Sequence, residues 1–171
     1  MKGIHLVINT AFTPYGFGLF CGNKCLFSAC YGDSRGFSER LLDDVQARCI
    51  ELGYGLSDVS HIGVVTGPGS YTGIRLGVTY AKLLGFSLGV RVYGYGALDV
   101  VAFQLRGRKS SYMVILPSKR GFVYMQLFCS DGTAFSDMCH VSADQWHSVL
   151  SKFEIPIQVC GIIEDRFFEW F

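Results

Sequence analysis

The stretch Val64-Val65-Thr66-Gly67-Pro68-Gly69-Ser70-Tyr71-Thr72-Gly73-Ile74-Arg75-Leu76-Gly77 decides the fold of this chain. An apolar strand runs into a glycine-rich turn, and the turn opens a helix expected to continue to Phe86. Gly67 and Gly69 allow backbone angles and close approaches that a Cβ would block, while Pro68 stiffens the turn between them. Ser70 and Thr72 are residue types that cap a helix N-terminus. The free amides there make the turn either a potential anion site or a tight connection that binds nothing, and its geometry fits both readings. A Walker loop does not fit, because Gly73 is followed by Ile74-Arg75 rather than Lys-Ser/Thr. A dinucleotide fingerprint also fails, since its third glycine falls one residue late.

Small residues recur on the predicted helix at Gly73, Gly77, Ala81 and Gly85, every fourth position and so on one face. The stripe lets another backbone come close. Ile74, Leu76, Val78, Tyr80, Leu83, Leu84 and Phe86 surround the rest of the cylinder, and a helix apolar nearly all round is buried on more than one side. One side can be its own sheet; the other calls for a second helix or a second protein. Arg75 lies in the first turn, where the helix dipole disfavours a cation, and is expected to have an acidic partner.

The run Gly67-Pro68-Gly69-Ser70-Tyr71-Thr72-Gly73-Ile74-Arg75-Leu76-Gly77 resembles the signature of the TsaB (YeaZ-type) proteins, partner subunits of the bacterial machinery that makes threonylcarbamoyladenosine in tRNA. Phe37-Ser38-Glu39-Arg40-Leu41-Leu42 resembles the start of that family's first long helix, with Phe37 in place of the usual His. Arg120-Gly121-Phe122-Val123-Tyr124 resembles its Arg-x-Gly-x-Val-Tyr strand, with Pro117-Ser118-Lys119 replacing the Asp-Ala before it. The resemblance covers roughly Ile4 to Phe128 and thins out afterwards.

Composition agrees with a folded α/β chain. Half of the 171 residues are apolar and 17% are charged, and the net charge of +1 carries no overall electrostatic footprint for nucleic acid. RNA contact is therefore expected only indirectly, through a partner. No run has the 18 apolar residues of a membrane span, and seven cysteines, an odd number, fit reduced thiols. The expected location is the cytoplasm, with no membrane contact.

Expected elements are strands at Ile4–Asn9, Tyr15–Phe20 and Lys24–Ala29, the last two forming a hairpin at Gly22-Asn23. A helix capped by Ser38 runs to Leu52 with Leu42, Val45, Cys49 and Leu52 on one face. A strand at His61–Thr66, the central helix and a strand at Arg91–Tyr95 complete a mixed sheet. This order is that of the ribonuclease H-like lobe of the actin, Hsp70 and hexokinase superfamily, the class to which TsaB proteins belong. Ala97–Leu105 reads as a connecting helix. The expected lobes are therefore 1–105, ribonuclease H-like, and 106–171, a smaller partial α/β lobe. The second has strands at Tyr112–Leu116, Phe122–Phe128 and Ile157–Cys160, and a helix opened by the capping box Ser142-Ala143-Asp144-Gln145. It half-repeats the pattern of the first, and is expected to be truncated relative to the family.

Catalytic chemistry finds little support. His5, His61, His140 and His147 include no His-x-x-x-His pair, so no metal site is expected. Kinases of the superfamily carry an Asp after the first strand to hold metal-bound phosphate, with a glycine turn beyond it. Here the place reads Asn9-Thr10-Ala11-Phe12, and a neutral Asn cannot supply the charge that Mg²⁺ prefers. Ser70 lies in no Gly-x-Ser-x-Gly elbow. No catalytic residue, cofactor or metal is expected.

What the resemblance implies is a non-catalytic subunit that binds TsaD through its two long helices, with a TsaE-like ATPase as a further partner. The implied interface is Leu42, Val45, Cys49, Ser70, Tyr71, Thr72, Gly73, Arg75, Gly77, Val78 and Ala81. Two alternatives are a small ATP-dependent kinase of the same superfamily and a homodimer pairing through the same helices.

Overall fold

A computed structural model describes residues 3–32, 34–107, 109–142, 145, 148, 151 and 158–161. Strands β1 (Ile4–Asn9), β2 (Tyr15–Cys21) and β3 (Lys24–Tyr31) are followed by helix α1 (Ser34–Glu51). Next come β4 (Val59–Gly67), α2 (Tyr71–Leu88) and β5 (Arg91–Gly96). The five strands form one sheet in the order β3-β2-β1-β4-β5. β1 pairs antiparallel with β2 and parallel with β4, and β4 pairs parallel with β5 across the α2 crossover. The β2–β3 hairpin turns at Gly22-Asn23 as expected, with Cys21 opposite Lys24.

Alternation along β1 places Ile4, Leu6 and Ile8 in the core and His5, Val7 and Asn9 on the opposite face. The core joins those three to Phe17, Leu19, Ile62 and Val64 from neighbouring strands, to Phe37, Leu41, Val45 and Cys49 of α1, and to Ala81 of α2. Phe37 stacks on Tyr31, ring centroids 4.6 Å apart, and the Tyr31 hydroxyl donates to Asp44 at 3.0 Å, so β3 is fastened to α1.

Two readings of α1 change. It begins at Ser34 rather than after Ser38, and its core face is Phe37, Leu41, Val45 and Cys49, with Leu42 and Leu52 exposed. Buried positions four apart follow one face of a helix; Leu42 lies about 100° round from Leu41.

The chain divides into two compact units, Met1–Gly96 and Ala97–Phe171. The division falls nine residues before the expected boundary at 105, because α3 (Ala97–Gln104) packs on the second sheet. The buried Tyr112 hydroxyl donates to Ala102 O at 2.8 Å and anchors α3 there. That sheet contains β6 (Tyr112–Pro117), β7 (Phe122–Phe128), β8 (Cys139–Ser142) and β9 (Gln158–Gly161), in the order β8-β7-β6-β9. β6 is antiparallel to β7, β7 antiparallel to β8, and β6 parallel to β9. These are the order and directions of β3-β2-β1-β4, so the half-repeat expected from sequence is a repeat of topology. The strand β8 was not expected. Ser142, expected to cap a helix reaching Phe153, ends β8, and most of that expected helix and the aromatic terminus 167–171 lie outside the described residues.

Candidate functional site

The glycine turn and the end of β1 close on each other. Ser70 N donates to Ala11 O at 2.7 Å, and the Thr10 hydroxyl, buried, donates to Gly73 O at 2.7 Å. A Cβ on Gly73 would collide with Thr10 O, and one on Gly77 with Thr10 Oγ1. A Cβ on Gly69 would meet the Ala11 carbonyl. Gly67 takes φ 109°, a left-handed value open to glycine. Ser70 is the N-cap of α2, its hydroxyl accepting from Gly73 N at 3.3 Å.

Asn9 is engaged by its own turn. Its Oδ1 accepts from Ala11 N (3.1 Å) and Phe12 N (3.4 Å), and its Nδ2 donates to Phe12 O and Pro14 O, each at 2.9 Å. The amide thus does what backbone would do in a tight turn. Thr10, Ala11 and α2 fill the neighbouring space with protein atoms.

The small-residue stripe is real, but its neighbour is the chain's own sheet. Gly73, Gly77, Ala81 and Gly85 are all buried: the first two lie against Thr10, and a Cβ on Gly85 would strike Val92. Of the expected interface, Val45, Cys49, Gly73, Gly77 and Ala81 are therefore inside the fold. Leu42, Tyr71, Thr72 and Arg75 are exposed, and Ser70 and Val78 are half-buried. Arg75 has no acidic partner among the described residues. Its guanidinium lies 5.8 Å from the centroid of the Tyr71 ring, and the ring face takes the place of the expected carboxylate.

The outer side of α2 carries Tyr71 (70% exposed), Leu83 (65%) and Phe86 (90%), and α1 adds exposed Leu42 and Ile50, with Leu52 just past its end. Leu83 and Phe86, the most apolar of these positions on α2, are missing from the expected interface. Their signal was present in the all-round apolar character of the helix. On α2 beside α1, the buried Tyr80 hydroxyl has no hydrogen-bond partner among the described residues. Burial, with lesser help from Cys49 and Asp43, pushes its pKa up to about 12.

The opposite face of the sheet holds an open pocket of about 240 Å³, lined by His5, Val7, His61, Gly63, Tyr93 and Tyr95 among others. His5 and His61 face each other across the β1–β4 ladder, rings edge to face at 5.1 Å, and His61 lies 5.8 Å from Tyr93. Among the described residues no three His, Cys, Asp or Glu side chains converge on a common metal position, and no helix is long and apolar enough to cross a membrane.

A family model described as "TsaD: tRNA N6-adenosine threonylcarbamoyltransferase" matches residues 33–159, most of the chain. The Bacillus subtilis "tRNA threonylcarbamoyladenosine biosynthesis protein TsaB" is 34% identical over 107 residues, 61% of this chain and 47% of that protein. The chain belongs to this family, in its TsaB/YeaZ branch. It spans about half the length of the curated relatives it matches. Among solved structures, a Pseudomonas aeruginosa protein "with similarity to peptidase YEAZ" superposes with a TM-score of 0.75 at 18% identity, over 94% of this chain and 85% of that one. A Bacteroides thetaiotaomicron protein with an actin-like ATPase fold follows at TM-score 0.52 and 12% identity, covering 96% and 84%. Both likenesses concern the fold, which is the expected actin-like, ribonuclease H-like one with two α/β lobes.

Proposed function

We propose that this TsaB-branch chain acts in threonylcarbamoyladenosine formation on tRNA as a non-catalytic partner of a TsaD-type subunit, docking through the outer sides of α1 and α2. The observation that carries the proposal is the apolar side of α2. Tyr71, Leu83 and Phe86 stand in solvent on a helix whose opposite side is already committed to the sheet. Exposed apolar side chains concentrated on one element mark interaction surfaces, and aromatic anchors carry much of the energy in such interfaces. The non-catalytic part of the reading is supported by Asn9, whose amide is taken up by its own turn.

The test is light scattering on a sizing column with the full chain, alone and mixed with TsaD from the same organism. A new one-to-one peak is expected, and Leu83→Glu with Phe86→Glu should abolish it while leaving the unfolding midpoint of the chain within a few degrees. An unchanged complex in the double variant overturns the docking face. A peak of twice the chain's own mass, with no shift on adding TsaD, would favour self-pairing through the same helices. Gly77 and Ala81 are unsuitable targets, because substitution there disturbs the fold before it touches any partner.

A further inference from the structure

The second unit carries a cluster of flat rings on the outer face of its sheet, across β7 and β8. Phe122 and Tyr124 project from the same side of β7, two residues apart, while Val123, Met125 and Leu127 fill the core behind them. His140 of β8, directly opposite Tyr124, stacks on its ring at 4.5 Å and lies 5.1 Å from that of Phe122, tilted by 31°. Its Nε2 is 3.1 Å from the Ser118 hydroxyl, a hydrogen bond that fixes the orientation of the imidazole. Phe122 is 38% exposed, and His140 is exposed.

Adjoining the cluster, the β6–β7 turn presents Lys119 and Arg120, both exposed and neither with an acidic partner among the described residues. Arg120 adopts φ 59°, the only left-handed non-glycine backbone among the described residues, and Gly121 follows at φ 76°. Glycine or asparagine would suit that position better, so the guanidinium is held at the turn at a local conformational cost. The order basic, glycine, aromatic, any residue, aromatic in Arg120-Gly121-Phe122-Val123-Tyr124 is also that of the RNA-contacting strand of sheet-type RNA-binding domains. Their two aromatics stack on bases from one sheet face. Val123 stands where those strands have Gly or Ala.

We propose that this face, formed by Phe122, Tyr124 and His140 with Lys119 and Arg120 at the adjoining turn, binds an unpaired stretch of nucleic acid. One or two bases would stack on the ring cluster and the adjoining phosphates would meet the two cations. Base stacking on aromatic rings tolerates any sequence, because every base has a π-face. A net charge of +1 conceals such a site, since two cations at one turn suffice for a weak local contact. The proposal is independent of the docking of α1 and α2: loss of the TsaD complex with nucleic-acid binding intact, or the reverse, separates the two.

The experiment is fluorescence anisotropy of a labelled ten-residue oligouridylate with the full chain at low ionic strength. Phe122→Leu keeps the apolar bulk and removes the ring; it should weaken binding roughly tenfold or more. Arg120→Gly relieves the left-handed strain, so it should fold at least as well as the parent, and its binding should be weaker. The slope of log affinity against log salt should fall from about −1.4 for two phosphate contacts to about −0.7 for one. Equal binding of oligodeoxythymidylate supports the same site, because ring faces and phosphates are read and the 2′-hydroxyl is not. Absence of binding, unchanged affinity in both variants, equal affinity for a duplex of the same length, or equal displacement by free UMP would overturn it.

Discussion

The two faces of the first sheet are built from alternate residues of the same strands and differ in almost every respect. Toward the helices, Leu6 and Ile8 are fully buried, and Thr10 lies in a notch made by Gly73 and Gly77. Away from them, Val7 is 38% exposed, and His5, His61, Tyr93 and Tyr95 line an open pocket. The first face is a packed core of apolar side chains, closed at one end by the Thr10 notch, where Gly73 leaves no room for a Cβ. The second is a surface of rings that leaves room. Parallel strands usually have both faces covered, so the contrast is sharpest along β1, β4 and β5.

The largest effect should come from the notch. Gly73→Val drives a branched side chain into the Thr10 carbonyl and separates α2 from β1, and the variant should lose its cooperative unfolding transition in urea. A transition within about 1 kcal/mol of the parent would mean that α2 can shift on the sheet, and the notch would lose its special standing. Next come two neighbours on one strand. Leu6→Ala should cost about 3 kcal/mol and Val7→Ala under about 1 kcal/mol, measured by the same urea midpoints. Equal costs would show that something covers the pocket face in solution.

The smallest effect tests the helix side for its one imperfection. Tyr80→Phe removes a buried hydroxyl that has no partner among the described residues and should stabilise by about 1 kcal/mol. It also changes the response to alkali. A phenol whose pKa is raised to about 12 in the fold, above its ordinary value of 10, holds its proton more tightly folded than unfolded. Its contribution is complete below pH 10 and is lost as the pH rises toward 12. The parent should therefore lose stability across that window more steeply than Tyr80→Phe. Parallel pH curves for the two would place the hydroxyl in water.

Much of the first unit was legible because its signals are local. The Gly67–Ser70 turn, the cap at Ser70, the hairpin at Gly22-Asn23 and the order of strands and helices follow from residue types at short range. The start of α1 was misplaced because Ser38 looks like a cap, whereas the helix runs four residues further back to Ser34. β8 was missed because Cys139–Ser142 is four residues long and takes its strand character from pairing with β7. The division at Gly96 follows from α3 packing on the second sheet, a choice between two neighbours that an apolar eight-residue helix does not declare.

By itself the sequence determined that α2 has a stripe of small residues, an apolar character all round and a capped start, because these depend only on spacing along a helix. Tertiary structure decided which neighbour each side meets. The glycines of the stripe face Thr10, just past β1, and Val92 of β5, and Tyr71, Leu83 and Phe86 are the large apolar residues left in solvent. A small side chain records that something comes close; which surface comes close depends on the rotation of the helix about its axis, and only the packed fold sets that angle.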